Sequence, residues 1–298
     1  MAGRLLAPLD GSRLAETVLP YVATIAPALQ LEVVLLQAAG RGGTPQQSKA
    51  YLDTVSERLA AFGISALVLP ASGPPEDAIL DSIAQLNVHL VLMATHGRSG
   101  LEELLYGSVT HKVIRNSPVP VLAVREPEPE TTEAVAARSE FAPKALRSLL
   151  VPLDGSPPAE AILPWVKELA RELKATLTLL RVDLDRIEPG QEQFPAEQMY
   201  LAQIQKQLAD EGIRADTVVA VGDPVQEICR HVQEHDVDLL AMVTHGRTGL
   251  SLWLTGSVAE AALRSAPATL LLRRPGNAAD EAVVVAGTAA QGDKPSGQ

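Results

Sequence analysis

"LLAPLDGSRLAETVLPYV", residues 5–22, decides how the chain is built. An apolar run ends in a Pro-Leu-Asp-Gly-Ser turn, after which Leu14, Val18, Val22, Ile25 and Leu29 recur at the spacing of one helix face. The unit reads as a strand, a tight turn and a helix. It returns as "LLVPLDGSPPAEAILPWV", residues 149–166, with twelve of eighteen positions identical. A second stretch also returns: "MATHGRSGLEELLYGSV" (93–109) and "MVTHGRTGLSLWLTGSV" (242–258) share eleven of seventeen positions. The copies lie 144 residues apart at the first stretch and 149 at the second. Five residues are therefore gained between them, and the polar segment 183–198 is the place for them. One period is the length of a domain, so the chain reads as two tandem domains rather than a solenoid.

Each copy alternates strand and helix signals. In the first, "RLLAPL", "LEVVLLQA", "SALVLPA", "HLVLMA" and "VPVLAV" are short apolar runs. Between them lie helical patterns: the one beginning near Leu14, one over 46–62 ending at Gly63, "PPEDAILDSIAQL", and "VTHKVIRNS". Near-continuous apolar strands between helices predict an α/β fold, a parallel sheet covered on both faces. The expected organisation is a first domain over 1–125, a Pro-, Glu- and Thr-rich linker over 126–147, a second domain over 148–274, and a disordered tail over 275–298.

Composition narrows the function. Hydrophobic residues make up 46% of the 298 and charged residues 20%, as in soluble globular proteins. No apolar run reaches the roughly 18–20 residues of a membrane helix. The N-terminus lacks a signal-peptide layout, so a cytoplasmic address is expected and no membrane partner. The net charge of −11 argues against nucleic acid as a partner. A bound polyanion would be held by local backbone groups instead. The lone Cys229 excludes an intrachain disulfide framework and a Cys-based zinc site, and reads as a buried structural thiol.

In an open parallel sheet, ligands sit beyond the carboxyl ends of the strands. Gly107-Ser108 precede a predicted helix near Val109, where N–H groups lacking internal acceptors favour a phosphate. The same pair could equally be an ordinary helix cap, but its spacing from Gly97 repeats at Gly246 and Gly256-Ser257. Pro157 marks Ser156, and by the repeat Ser12, as helix caps. That leaves Asp10 and Asp154 to face the crevice, where a carboxylate suits a ribose hydroxyl or a metal ion carried with phosphates. His96 and His245 are open to a base, a metal ligand or a turn role. Arg98 and Arg247 are open to phosphate pairing or solvent. The chain has no G-x-x-x-x-G-K-[ST] loop and no G-x-G-x-x-G after the first strand, so a P-loop NTPase and a dinucleotide dehydrogenase are disfavoured.

"PLDGS" after the first strand, with Gly97, nine residues and Gly107-Ser108, and their counterparts Gly246 and Gly256-Ser257, resembles the universal stress protein family in its tandem form. The resemblance spans about residues 4–125 and 148–274. It implies two copies of a five-stranded parallel sheet, order 3-2-1-4-5, with helices on both faces, paired within the chain through their fifth strands; a homodimer is also open. It implies ATP as ligand. The site carried over comprises Pro8, Asp10, Ala38, Met93, Ala94, Gly97, Arg98, Gly107, Ser108 and Val109. In the second copy it comprises Pro152, Asp154, Val182, Met242, Val243, Gly246, Arg247, Gly256, Ser257 and Val258. Any Mg²⁺ would arrive with ATP near Asp10 and Asp154. The family's first motif glycine is Ala94 in one copy and Val243 in the other. If glycine serves close approach or positive φ there, the second site is the weaker. No lysine lies in the motif and no clear metal set or placed base is evident, so a stress-response or signalling module with at most slow ATP hydrolysis is expected. The alternatives are a nucleotide-free scaffold and a weak ATP hydrolase or phosphotransferase.

Overall fold

The computed structural model describes residues 3–39, 43–95, 107–125, 142–183, 195–244 and 257–275. The first half carries β1 Arg4–Pro8, α1 Leu19–Ala28, β2 Glu32–Ala39, α2 Pro45–Ala60, β3 Ala66–Ser72, α3 Pro75–Gln85, β4 Val88–Ala94, α4 Ser108–Asn116 and β5 Val121–Val124. The second carries β6 Ser148–Pro152, α5 Pro157–Glu160, α6 Leu163–Leu173, β7 Thr176–Asp183, α7 Pro195–Asp210, β8 Ala215–Val221, α8 Pro224–Glu234, β9 Leu239–Val243, α9 Ser257–Ser265 and β10 Thr269–Arg273.

The strands form one sheet in the order β3-β2-β1-β4-β5-β10-β9-β6-β7-β8. Within each half the order is 3-2-1-4-5 and the pairing parallel. The halves join into one sheet through an antiparallel step between their fifth strands: Leu270, Leu271 and Leu272 of β10 lie opposite Ala123, Leu122 and Val121 of β5. The reason is apolar edges on both strands, which bury each other and satisfy each other's backbone groups.

Alternation explains the two cores. Leu5 and Leu6 are neighbours, yet both are fully buried. Leu5 joins Leu35, Leu52 and Leu92 on the face covered by α1 and α2, while Leu6 joins Val34, Ile79 and Val91 on the opposite face. The halves also meet above the sheet. α1 packs on α6, the buried Thr269 hydroxyl donates to Tyr21 Oη at 2.8 Å, and Arg125 donates to Arg264 O at the end of α9 at 2.9 Å.

One helix starts later than its periodicity suggests. Ala15–Val18 form a 3₁₀ turn, and the α-helix proper begins at Leu19. Pro20 lies in the first turn of α1, where its missing N–H does no harm. Pro164 plays the same part at the start of α6. α2 ends close to its expected limit, with Gly63 at φ +75° just beyond. Of the expected linker, 126–141 lies outside the described residues. Residues 142–147 run without regular structure, held by Lys144 N–H donating to Pro20 O at 3.0 Å. Of the expected tail, 276–298 lies outside the described residues. Among the described residues no helix is long and apolar enough to cross a membrane.

Candidate functional site

Two corners shape the site in the first half. The first follows β1. Asp10 Oδ1 accepts the Ser12 N–H at 2.8 Å, Gly11 turns with φ +80°, and Ser12 Oγ accepts the Ala15 N–H at 3.0 Å. Asp-Gly-Ser is thus a self-contained turn: a short carboxylate, a residue tolerant of positive φ, and a hydroxyl cap. The second copy repeats it. Asp154 Oδ1 accepts from Ser156 N–H at 2.9 Å and from its hydroxyl at 2.5 Å, Gly155 has φ +76°, and Ser156 caps α5. Each carboxylate anchors its own turn, because the backbone N–H two residues on lies within its reach.

The second corner joins β4 to α4. Gly107 N–H donates to Thr95 O at 2.9 Å, and the buried Thr110 hydroxyl donates to Ala94 O at 3.0 Å. Gly107 is the residue capping α4, without a side-chain bond, and Ser108 is the first helical residue. Ser108 is thus not a helix cap. The N–H groups of the first turn lack intrahelical acceptors and carry the positive end of the helix dipole.

Between these corners and the ends of β2 and β4 lies a cavity of about 560 Å³, within the size range of ligand pockets. It brings together Pro8, Asp10, Ala38, Met93, Ala94, Gly107, Ser108 and Val109, all anticipated. Asp10 is the acidic residue of the described lining, which contains no lysine or arginine. Gly97, Arg98 and His96 lie outside the described residues.

The other wall was not anticipated. Gln37 of β2, Thr44 at the cap of α2, and Gln47 and Tyr51 of α2 also line the cavity. Thr44 and Gln47 form a reciprocal cap: Thr44 Oγ1 accepts from Gln47 N–H at 3.2 Å, and Gln47 Oε1 accepts from Thr44 N–H at 3.0 Å. Tyr51 Oη donates to Glu16 Oε1 at 3.0 Å, and Arg58 donates to the other Glu16 oxygen at 2.6 Å. Burial first, then the Glu16 charge, pushes the Tyr51 phenol well above its ordinary range and keeps it a neutral donor. A signal existed: "TPQQ" carries the reciprocal-cap spacing, and Tyr51 and Glu16 recur as Tyr200 and Glu160.

In the second half, Pro152 ends β6, Val182 lies next to the last residue of β7, Met242 and Val243 end β9, and Ser257 and Val258 open α9. The shared strand order puts them, with Asp154, at the same edge. His245, Gly246, Arg247 and Gly256 lie outside the described residues. Ala94 and Val243 both lie in strands, and neither has positive φ, so backbone handedness gives no reason for glycine at this position. Ala94 lines the cavity and Val243 is buried in the matching core cluster. Close approach is what remains of the steric argument. Among the described residues no group of three or more His, Cys, Asp or Glu could hold a metal ion.

The universal stress protein family model matches residues 1–125 and 145–274, most of the chain. The chain belongs to the universal stress protein family. As a universal stress protein it is the tandem form, with one matched region in each half. A curated relative, Universal stress protein YxiE of Bacillus subtilis (strain 168), is 27% identical over 148 residues, covering all of that protein and 42% of this chain. Two solved structures span nearly the whole chain. A universal stress protein from Archaeoglobus fulgidus DSM 4304 aligns over 92% of this chain and 98% of its own with a TM-score of 0.72 at 21% identity. A putative universal stress protein from Pseudomonas aeruginosa UCBPP-PA14 aligns over 95% and 98% with a TM-score of 0.69 at 20% identity. Both share the fold of this universal stress protein, two α/β halves included.

Proposed function

We propose that this tandem universal stress protein is an ATP-binding stress-response or signalling module whose principal nucleotide site is the first-half cavity. The observation that carries the reading is the convergence of Pro8, Asp10, Ala38, Met93, Ala94, Gly107, Ser108 and Val109 on one cavity at the carboxyl edge of the sheet. Apolar walls from Ala38, Met93 and Ala94 suit an adenine ring. The start of α4 suits phosphates, in a protein whose net charge of −11 otherwise repels them. Asp10 suits a ribose hydroxyl, or Mg²⁺ brought in by the nucleotide. In this reading bound ATP acts as a structural or signalling ligand rather than as a substrate for fast phosphoryl transfer.

The competing reading, a nucleotide-free scaffold, draws on the Ala94 methyl in the cavity wall. Thermal denaturation separates the two. Millimolar ATP with Mg²⁺ at about 100 times the dissociation constant stabilises one site by about 3 kcal/mol and raises the Tm by several degrees. No shift with ATP, ADP or AMP leaves the scaffold. Turnover assays with and without Mg²⁺ then test for hydrolysis.

A further inference from the structure

The two halves keep a tyrosine–glutamate pair but carry the neighbouring arginine on different elements. In the first half, Tyr51 and Arg58 of α2 both donate to Glu16, and Arg58 does so without lining the cavity. Gln37 holds the cavity-wall position on β2. In the second half, Tyr200 donates to Glu160 at 2.9 Å, Gln207 stands at the counterpart of Arg58, and the arginine has moved to the counterpart of Gln37, as Arg181 of β7. The pair Gln37/Arg58 has become Arg181/Gln207.

The consequence is steric. Arg181 Nη1 reaches Leu153 O at 3.4 Å and lies 3.2 Å from where a Cβ on Gly155 would stand. The matching residues of the first half, Leu9 and Gly11, line the cavity there. The guanidinium thus lies against the turn that, in the first half, faces open space. Its Nε is buried with no hydrogen-bond partner among the described residues. Arg181 and Asp154 both act on the ionisation of Tyr200, the guanidinium opposing the rise that burial and Glu160 cause.

We infer that Arg181 closes the second-half crevice to nucleotide, and that the exchange of Gln37/Arg58 for Arg181/Gln207 decides which half of the chain binds. The inference rests on the nucleotide reading of the first half. It assigns the inequality of the halves chiefly to a charged side chain on the second strand of each half, rather than to the Ala94/Val243 difference.

Equilibrium dialysis of the full chain against ATP with Mg²⁺ tests it, with Tm measured for every variant. The wild-type chain is expected to hold one ATP. Gln37→Arg with Arg58→Gln preserves net charge and leaves Tyr51 donating to Glu16, and is expected to weaken that site at least tenfold while the chain still unfolds cooperatively within a few degrees of wild type. Arg181→Gln with Gln207→Arg is expected to raise the count to two. The same exchange carrying Val243→Ala is measured alongside, so that the valine does not mask an opened crevice. A count of one in both exchanged forms overturns the inference. So does a count of two on the wild-type chain, or on Val243→Ala alone. No ATP on the wild-type chain refutes the nucleotide reading itself and the inference with it, an outcome distinct from a wild-type count of one that the exchange leaves unchanged.

Discussion

His231 shows what a single buried side chain does to the pH response. It is 7% exposed, and its ring stacks on His235 with centroids 4.0 Å apart. Burial first, then the charges of His235 and Arg230, lower its pKa below the ordinary 6.5, with Glu234 opposing. The sign follows. The folded state holds the ring neutral while the unfolded chain protonates it near pH 6.5, so the unfolded state binds more protons below that pH and stability falls as pH drops. The urea midpoint of the full chain is expected to decrease between pH 7.5 and 5.5, and His231→Gln should reduce that decrease. An unchanged pH dependence in the variant would show that the stack tolerates the charge. At the same scale, Asp10 shows why a role is harder to read than an identity. The sequence places a carboxylate at the crevice, but that one of its oxygens serves the Ser12 N–H is a matter of ångströms. The Gln37/Arg58 exchange was hidden for another reason: its two positions fall on either side of the five-residue gain, so they repeat at offsets of 144 and 149.

At the scale of elements, the capping pattern separates two serines that look alike in the repeats. Ser156 accepts the Ala159 N–H and caps α5. Ser108 follows the cap, and its hydroxyl has no capping bond. Ser156→Ala is expected to cost about 1 kcal/mol of stability, as cap removals typically do. Ser108→Ala should leave stability within about 0.5 kcal/mol of wild type, as ordinary surface changes do, yet weaken ATP binding. Urea denaturation of the two variants with calorimetric titration of the second checks both, and an equal stability loss would make Ser108 a cap after all. Strands and helices were legible because apolar periodicity is dictated by burial on both faces: adjacent Leu5 and Leu6, each fully buried, can only belong to a strand between two layers. Less legible were features set by backbone detail. The 3₁₀ turn at Ala15–Val18 carries the same apolar spacing as a helix, and Pro20 is the local mark of where the α-helix starts. The cavity wall made by α2 was missed because its residues, Thr44, Gln47 and Tyr51, come from a helix whose periodicity says which face is buried but not that its first turns overhang the end of β2.

At the scale of the whole molecule, the ten-stranded sheet leaves β3 and β8 as its outer edges, while β5 and β10 shield each other. The shared surface is apolar at its centre, where fully buried Leu122 faces Leu271, and is extended by the Tyr21–Thr269 bond and by the His89 ring packed at a tilt against Trp165 with centroids 4.4 Å apart. Cutting the chain between the halves exposes one such edge on each piece. Because the two halves repeat one another, the first half presents to a second copy of itself nearly what it presents to its partner in the chain. An antiparallel pair of identical strands also obeys two-fold symmetry. The piece 1–125 is therefore expected to dimerise through β5, and the full chain, whose fifth strands are already paired, should not associate by that route. Leu122→Glu should make the 1–125 piece monomeric. In the full chain, Leu122→Ala should destabilise by about 3 kcal/mol, the usual cost of emptying a buried leucine site. Sedimentation equilibrium over a wide concentration range measures the first effect and urea denaturation the second. A folded 1–125 piece that stays monomeric at high concentration would mean that the antiparallel step depends on residues particular to β10, such as Thr269 and the buried Arg273, and not on the apolar edge that the two halves share.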